Sequence, residues 1–458
     1  MTDPVLLWLR RDLRLADQPA LLAAIEDGAV IPVYILDDEG ARHRAMGGAS
    51  RWWLHHSLAA LDGALRAKGS RLILRRGDSV AALTALASET GAKRVHCLHH
   101  YEPWWRNAEH GVAKALDLVC HDGNYLQPPG SVTNGSGGTY RIYSPFMRAT
   151  LQHMPPQKPL HAPQTIPAPE RWPESDPLGS WGLLPTKPDW ATGFAADWTP
   201  GEGGARDRLD DLSDVLDDYG TSRNLPSVEG TSRLSPHLHF GEVSPASVWH
   251  AASGRSEGAQ TFRKELIWRD FAQNIILAYP DYGKSNGYAK FDAMPWRSGR
   301  TAQADLRAWQ RGETGYPIVD AGMRQLWTAG WMHNRVRMIV ASFLIKHLLI
   351  DWRQGEQWFW DTLVDADYGN NSVNWQWSAG TGLDANMFGR IMAPLGQSAK
   401  FDAADYIRQW VPELAALDDR TIHDPDGQGC RPAAYPAPLI GHREGRERAL
   451  AAYARVKG

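Results

Sequence analysis

The sequence predicts an α/β half with a parallel sheet, followed by an all-helical half. Three observations predict this. Short apolar runs alternate with helical periodicity as far as Leu116. A Pro-, Gly- and Ser-rich stretch then interrupts the pattern over residues 127–205. From Asp207 onward the periodicity is helical, with little alternating β pattern.

The apolar runs are VLLWL at 5–9, VIPVYIL at 30–36, RLILRRG at 71–77 and KRVHCLHH at 93–100. Helical patterns at Pro19–Asp27, Ala49–Lys68, Ser79–Thr90 and Trp105–Leu116 separate or follow them. Strand–helix alternation means a parallel sheet covered on both faces. No Gly-x-Gly-x-x-Gly follows the first run, so the dinucleotide fingerprint is absent. The stretch QPPGSVTNGSGG and the stretch MPPQKPLHAPQTIPAPERWP read as a surface connection. Trp172, Trp181, Trp190 and Trp198 predict that it is pinned in places. Helices are expected at Asp207–Tyr219, Ser244–Ser253, Thr261–Tyr279, Asp305–Arg311, Pro317–Ala329, Trp331–Leu349, Glu356–Leu363 and Glu444–Lys457. The expected division is 1–126, a linker 127–205, and 206–458.

Composition excludes several classes. With 43% hydrophobic and 22% charged residues the chain reads as globular, not disordered or collagen-like. Arg337 and Lys346 interrupt the best apolar run, so no membrane span is expected. The N-terminus is too poor in apolar residues for a signal peptide, and a cytoplasmic location is the default. Cys97, Cys120 and Cys430 are widely spaced, so neither a disulfide framework nor a cysteine metal cluster is expected. A net charge of −3 disfavours a non-specific electrostatic DNA binder. The unusual number is 21 tryptophans. They fit a large aromatic core or a stacking surface for flat ligands.

Four segments could carry chemistry. Gly230–Pro236 gathers Thr231, Ser232, Arg233, Leu234 and Ser235, with Ser235-Pro236 as a candidate helix start. It suits a phosphate, or is an ordinary capped helix. On helix 261–279, Glu265, Trp268 and Arg269 share a face. A Glu–Arg pair four apart is commonly a surface bridge of about 0.3–0.5 kcal/mol. On helix 331–349, Trp331, Asn334 and Met338 form a stripe with Arg335 and Arg337 nearby. Asn is poor in mid-helix and, if buried, needs a partner. The run Asp365–Trp377 combines two carboxylates, three asparagines and two tryptophans. It could accept ribose hydroxyls or pair with Arg. No third carboxylate or His stands at ligand spacing, so no metal is expected.

Together these segments resemble the DNA photolyase/cryptochrome family, most of all its class I cyclobutane pyrimidine dimer (CPD) photolyases. The resemblance starts at LLWLRRDLRLADQPAL, runs through EGTSRLSPHLHFGEVSP and ELIWRDF, and is densest in TGYPIVDAGMRQLWTAGWMHNRVRM and DADYGNNSVNWQW. It implies a Rossmann-like antenna domain with a parallel five-stranded sheet, and an all-α domain holding FAD. It implies FAD contacts at Tyr219, Thr231, Ser232, Arg233, Leu234, Ser235, Arg269, Asp367 and Asn334. Arg337 and Asp365 would form an ion pair beside the isoalloxazine ring. Asn371 would face flavin N5, where an amide favours the reduced anionic form.

The resemblance also implies UV-damaged DNA as partner, with the lesion flipped into a pocket above the flavin. Trp268 and Trp377 would be the pocket walls, Glu265 and Asn334 its polar contacts, and Met338 part of its lining. Arg223, Arg335 and Arg390 would contact DNA. Trp375, Trp352 and Trp296 would relay electrons to the flavin. A second, antenna chromophore is implied at Tyr101–Glu109, with methenyltetrahydrofolate, 8-hydroxy-5-deazaflavin and a second flavin as the family's candidates. The expected activity is light-dependent dimer splitting by a monomer, with a cryptochrome-type receptor or a (6-4) photolyase as alternatives. The Trp331-Met-His-Asn-Arg335 form favours CPD repair. The segment Asp384–Arg390, with Asn386-Met387-Phe388-Gly389, departs from the family pattern.

Overall fold

The structure is a computed structural model that describes residues 3–38, 44–385 and 388–457. Five strands form one sheet: β1 (Pro4–Leu9), β2 (Ala29–Leu36), β3 (Ile73–Arg76), β4 (Arg94–Leu98) and β5 (Asp117–His121). All pairings are parallel and the order is β3-β2-β1-β4-β5. Side chains alternate along β1. Val5, Leu7 and Leu9 enter one core with α1 (Pro19–Asp27) and α2 (Gly48–Arg66). Leu6 and Trp8 enter another with α3 (Ser79–Thr90) and α4 (Pro103–Ala115). The period-2 alternation thus buries both faces, which is why these strands read as continuous apolar runs.

The strand order reverses between β1 and β4, where open α/β sheets usually bind ligands. Here much of that edge docks the helical half. The Leu13 N–H donates to the Phe240 carbonyl at 3.1 Å, and Arg14 Nη1 donates to the Gly241 carbonyl at 3.0 Å. Gly241 has φ of 66°, and a Cβ there would meet the Arg11 carbonyl oxygen. Only glycine combines that conformation with that approach.

The connecting stretch is ordered rather than free. It contains α5 (Tyr143–Leu151), and its Trp181 and Trp198 are buried. Trp198 donates to the Ala329 carbonyl at 2.8 Å. The helices that matter for the site are α6 (Ser235–Phe240), α7 (Glu257–Ala278), α8 (Pro317–Ala329), α9 (Asn334–Ser342), α10 (Trp352–Thr362) and α11 (Tyr368–Ala379). Among the described residues no helix is long and apolar enough to cross a membrane.

Several expectations need correction. The helix expected at Asp207–Tyr219 is three short pieces, Glu202–Asp210, Leu212–Leu216 and Tyr219–Ser222. Ser235 does not cap α6; Leu234 holds that position and Ser235 is the first helical residue. Pro236 still sits in the first turn, where its missing N–H is harmless. The helix expected from Trp331 begins at Asn334, because the His333 ring accepts from the Arg335 N–H as its cap. Trp331 therefore precedes the helix and shares no stripe with Asn334 and Met338. After Ser342 the coil widens into a π turn over Phe343–His347. Asn386 and Met387, half of the departing segment, lie outside the described residues.

Candidate active site

Helix α7 supplies the middle of the site. Ser256 caps it by accepting from the Ala259 N–H. Glu265 does not bridge to Arg269 on its own helix. It pairs with Arg223 at 2.8 Å, across to the short helix Tyr219–Ser222. Burial pushes the Glu265 carboxyl up, and the Arg223 guanidinium partly offsets this. About a third of the Glu265 side chain (34%) stays exposed, so it remains reachable. Arg269 instead donates to the Asn124 and Leu238 carbonyls and covers the Tyr125 ring.

The first turn of α9 closes onto this pair. Arg335 Nη2 donates to Asn224 Oδ1, beside Arg223, and Arg335 Nη1 meets Met338 Sδ at 3.6 Å. Asn334 is exposed at the helix start, so it carries no mid-helix penalty. Glu265 and Arg223 are thus joined through Asn224 to Arg335 and Met338, with Asn334 next to Arg335 in the chain. Trp268 lies one turn beyond Glu265, half-buried, with Tyr143 of α5 stacked flat on it. Tyr143 was not among the residues singled out from sequence. Its Oη donates to the Lys264 carbonyl at 2.6 Å, and its N–H donates to Asp384 at 2.8 Å. Trp377 is half-buried on α11, and no ring contact between it and Trp268 is found among the described residues. Arg390 is exposed.

The second cluster is set by Arg337. Its two terminal nitrogens donate to Asp365 at 3.1 and 2.9 Å, a bidentate fork, and Nε holds the Met332 carbonyl. The Asp365 side chain is 4% exposed. Asp367 caps α11, accepting from the Asn370 N–H and Nδ2. On α11, Asn371 Nδ2 donates to the Glu356 carbonyl and to Glu356 Oε1, at 3.0 and 2.8 Å. Glu356 is in turn forked by Arg44 at 2.8 and 2.6 Å. With its N–H₂ so held, Asn371 keeps its carbonyl oxygen as the available group.

The segment Thr231–Ser235 lies nearby in sequence to Tyr219, whose buried ring meets Phe262 edge-on at 5.1 Å. Thr231, Ser232 and Arg233 are half-buried, Leu234 is buried and Ser235 is exposed. Arg233 has φ of 52°, a left-handed conformation costly for a side chain, and it lies over Trp198 and Trp331.

Several buried polar atoms have no partner within the chain: Arg233 Nε, Asp270 Oδ1, both Gln273 amide atoms and Ser372 Oγ. Asp270, Gln273 and Ser372 are on α7 and α11, which pack together. Leaving each unsatisfied costs about 1–3 kcal/mol. These atoms are sealed between the two helices, so the polar groups that fit FAD are the half-buried Thr231 and Ser232 hydroxyls and the Asn371 carbonyl.

Trp375 is buried and packs against the first turn of α10, where a Cβ on Gly355 would overlap its ring. Trp352 opens that helix and donates to Asn286 Oδ1 at 3.0 Å. Trp296 is half-buried on the loop between the turn Ala289–Ala293 and the helix Gly299–Arg311. Trp309, which the motifs did not mark, touches Trp375 edge-on at 6.3 Å.

The Tyr101–Glu109 stretch is less open than its composition suggests. Glu109 is buried, bridged to Arg10 at 2.7 Å and bonded to the His99 ring and the His100 N–H. Trp104 meets Tyr368 of the helical half at 5.1 Å. Glu102 is buried with Oε2 unpartnered. A cavity of about 580 Å³ lies elsewhere, lined by Asn134, Tyr140, Arg141, Ile142 and Tyr279, one residue from Tyr143. The widely spaced Cys97 and Cys120 also prove to be neighbours, as free thiols 3.5 Å apart. They are registered partners on β4 and β5, which sequence spacing could not reveal.

A model for DNA photolyase matches residues 5–169, and one for the FAD binding domain of DNA photolyase matches residues 262–455. The chain is 49% identical over its whole length to a deoxyribodipyrimidine photo-lyase of Agrobacterium fabrum, covering 98% of that protein. The chain belongs to the DNA photolyase family. Among solved photolyase structures, the class III enzyme of Agrobacterium tumefaciens superposes with a TM-score of 0.94 at 49% identity, covering 100% of this chain and 98% of that one. The motifs alone resembled class I enzymes. An archaeal photolyase of Sulfolobus tokodaii, described with two FAD molecules and a novel light-harvesting cofactor, gives a TM-score of 0.84 at 28% identity, covering 99% and 100%. The five-stranded parallel sheet and the helical half are thus those of photolyases, and the helical half is an FAD-binding domain.

Proposed function

We propose that this enzyme splits cyclobutane pyrimidine dimers in UV-damaged DNA. It is a light-driven DNA-repair lyase of the photolyase family that uses FAD. Bound reduced FAD supplies the chemistry: excited by blue or near-UV light, it lends an electron that opens the dimer ring and is then returned.

The observation that carries the reading is the half-exposed cluster of Glu265, Arg223, Arg335, Met338 and Asn334 beside Trp268. A carboxyl and an amide read the N–H and carbonyl edges of flipped pyrimidines, and Trp268 with Trp377 gives them apolar walls. Arg223, Arg335 and Arg390 hold the flanking phosphates, a small cationic set that suits the net charge of −3.

Arg337 joins this face to the cofactor side, because it stands two residues after Arg335 and forks Asp365. Tyr219, Thr231, Ser232, Arg233, Leu234, Ser235, Arg269, Asp365 and Asp367 are assigned to FAD. The Asn371 carbonyl is assigned to accept from N5–H, which only reduced flavin carries. Trp375, Trp352 and Trp296 are assigned to surface-to-flavin electron transfer. Residues 1–126 are read as an antenna domain for a second chromophore, 127–205 as linker and 206–458 as the catalytic domain. The expected form is a cytoplasmic monomer.

The test compares oligonucleotides carrying a cyclobutane dimer or a (6-4) product, each in light and in darkness. Repair of the cyclobutane lesion in light alone is expected. Repair of the (6-4) lesion instead would reassign the substrate. Repair of neither by reduced, illuminated enzyme would favour a cryptochrome-type receptor.

A further inference from the structure

Cys97 and Cys120 lie 3.5 Å apart as directly registered partners on the adjacent parallel strands β4 and β5. Registered neighbours have Cα atoms about 4.8 Å apart, inside the roughly 4.4–6.8 Å range that a disulfide spans. The two residues differ in exposure. Cys97 is fully buried against the α3–α4 core, while Cys120 is half-buried on the edge strand. Three polar groups surround them. His99 follows β4 and bonds to Glu109 Oε2 at 3.0 Å, and Glu109 is fixed through Oε1 by Arg10 at 2.7 Å and by the His100 N–H at 3.0 Å. His99, Glu109 and Cys120 offer polar atoms all within 4.8 Å of one another. A fixed carboxylate, an imidazole and an accessible thiol, with a second thiol behind it, is an arrangement for thiol redox chemistry. Arg10, a buried guanidinium on the same carboxylate, opposes a divalent cation in this position.

We infer that Cys120 and Cys97 form a hydroperoxide-reactive thiol pair, with Cys120 the attacking sulfur and Cys97 the resolving one. The Cys120 thiolate attacks the O–O bond of a hydroperoxide. That bond breaks, the thiolate becomes a sulfenic acid, and the departing oxygen leaves as alcohol or water with a proton from His99. The Cys97 sulfur then attacks the Cys120 sulfur. The S–O bond breaks, and the hydroxyl leaves as water with the Cys97 proton. Two thiols are oxidised to one disulfide and one hydroperoxide is reduced. The electrostatics agree with the direction of attack. The Cys97 thiol bonded to Cys120, together with His99, pulls the Cys120 thiol down, whereas the bond to Cys120 and burial raise Cys97.

The experiment uses the full chain with FAD bound. Native alkylation followed by peptide mass spectrometry should show Cys120 reacting about tenfold faster than Cys430, a free thiol that is likewise half-buried. Titration with hydrogen peroxide should yield a Cys97–Cys120 cross-linked peptide, lighter by two hydrogens and restored by dithiothreitol. Cys97→Ser should abolish the cross-link and leave Cys120 trappable as sulfenic acid by a 1,3-diketone. His99→Gln should move the pH profile of Cys120 alkylation upward. Equal alkylation of Cys120 and Cys430, or peroxide treatment that never joins the two peptides, would overturn the inference. Both readings come from the unmutated protein and survive a failure of either variant to fold.

Discussion

The ring of Tyr143 lies flat on the indole of Trp268, with centroids 3.5 Å apart and planes within 8°. One face of the proposed substrate wall is thereby covered by the linker, and its orientation is set from behind. Tyr143→Ala removes that support, worth about 1 kcal/mol for an aromatic pair. It should weaken binding of dimer-containing DNA by roughly fivefold, with the flavin spectrum unchanged. Tyr143→Phe keeps the stack and should bind nearly as the parent does. Titration of fluorescent dimer oligonucleotides measures both.

Arg337 and Asp365 make a forked pair in which the carboxylate is almost wholly buried. Arg337→Ala leaves that charge without its partner, a loss of about 3 kcal/mol. Lower thermal stability and a lower ratio of FAD to protein are expected. Full FAD occupancy in Arg337→Ala would remove this pair from the cofactor site.

Asp270 gives a pH signature. Burial pushes its carboxyl from 3.8 up to about 7, with Arg269 pulling the other way. The folded state then holds a proton that the unfolded state has released. Stability contributed by Asp270 is therefore present at about pH 4 and is lost as pH rises toward about 7. Asp270→Asn can still accept from the Gln127 N–H, the bond Asp270 makes at 3.0 Å. The difference in Tm between parent and variant, both with FAD bound, should fall between about pH 4 and about pH 7 and level off above that. A difference that is flat or rises with pH would contradict the buried, proton-holding carboxyl.

Trp352 donates to Asn286 and opens the helix against which Trp375 packs. Trp352→Phe keeps an aromatic ring but removes the readily oxidised indole. Photoreduction of oxidised flavin should slow at least tenfold, equivalent to about 1.4 kcal/mol on the barrier. Repair by chemically reduced enzyme should persist. Unchanged photoreduction would take Trp352 out of the relay.

Much of the fold was legible because its signals are local. Continuous apolar runs marked four of the five strands, and α8 was bounded correctly by Pro317 at its start and Gly330 after its end. The fifth strand, Asp117–His121, has an exposed first residue and half-buried others, so periodicity alone did not mark it. The start of α9 was misplaced because a His ring supplies the cap, a role that Ser, Thr, Asp and Asn usually fill. At the site, motif order marked Glu265, Arg337 and Asp365. It could not give the partners. Glu265 chose Arg223, 42 positions away, over Arg269 on its own helix. Tyr143, Glu356 and the Cys97–Cys120 pair were invisible for the same reason. Each acquires its meaning from a residue brought alongside by tertiary packing, and no spacing rule encodes that contact.

The most direct test of the central claim is the light dependence of dimer repair in Glu265→Ala against the parent, both reduced and loaded with FAD. Glu265 is paired with Arg223 and takes no part in the Arg337–Asp365 fork. The parent should restore cyclobutane-dimer oligonucleotides under blue light and leave them intact in darkness. The variant should repair about tenfold more slowly, as expected for the loss of one charged hydrogen bond to the lesion, while keeping its FAD. A parent that leaves the dimers intact under light, or repairs them equally in darkness, would contradict the account.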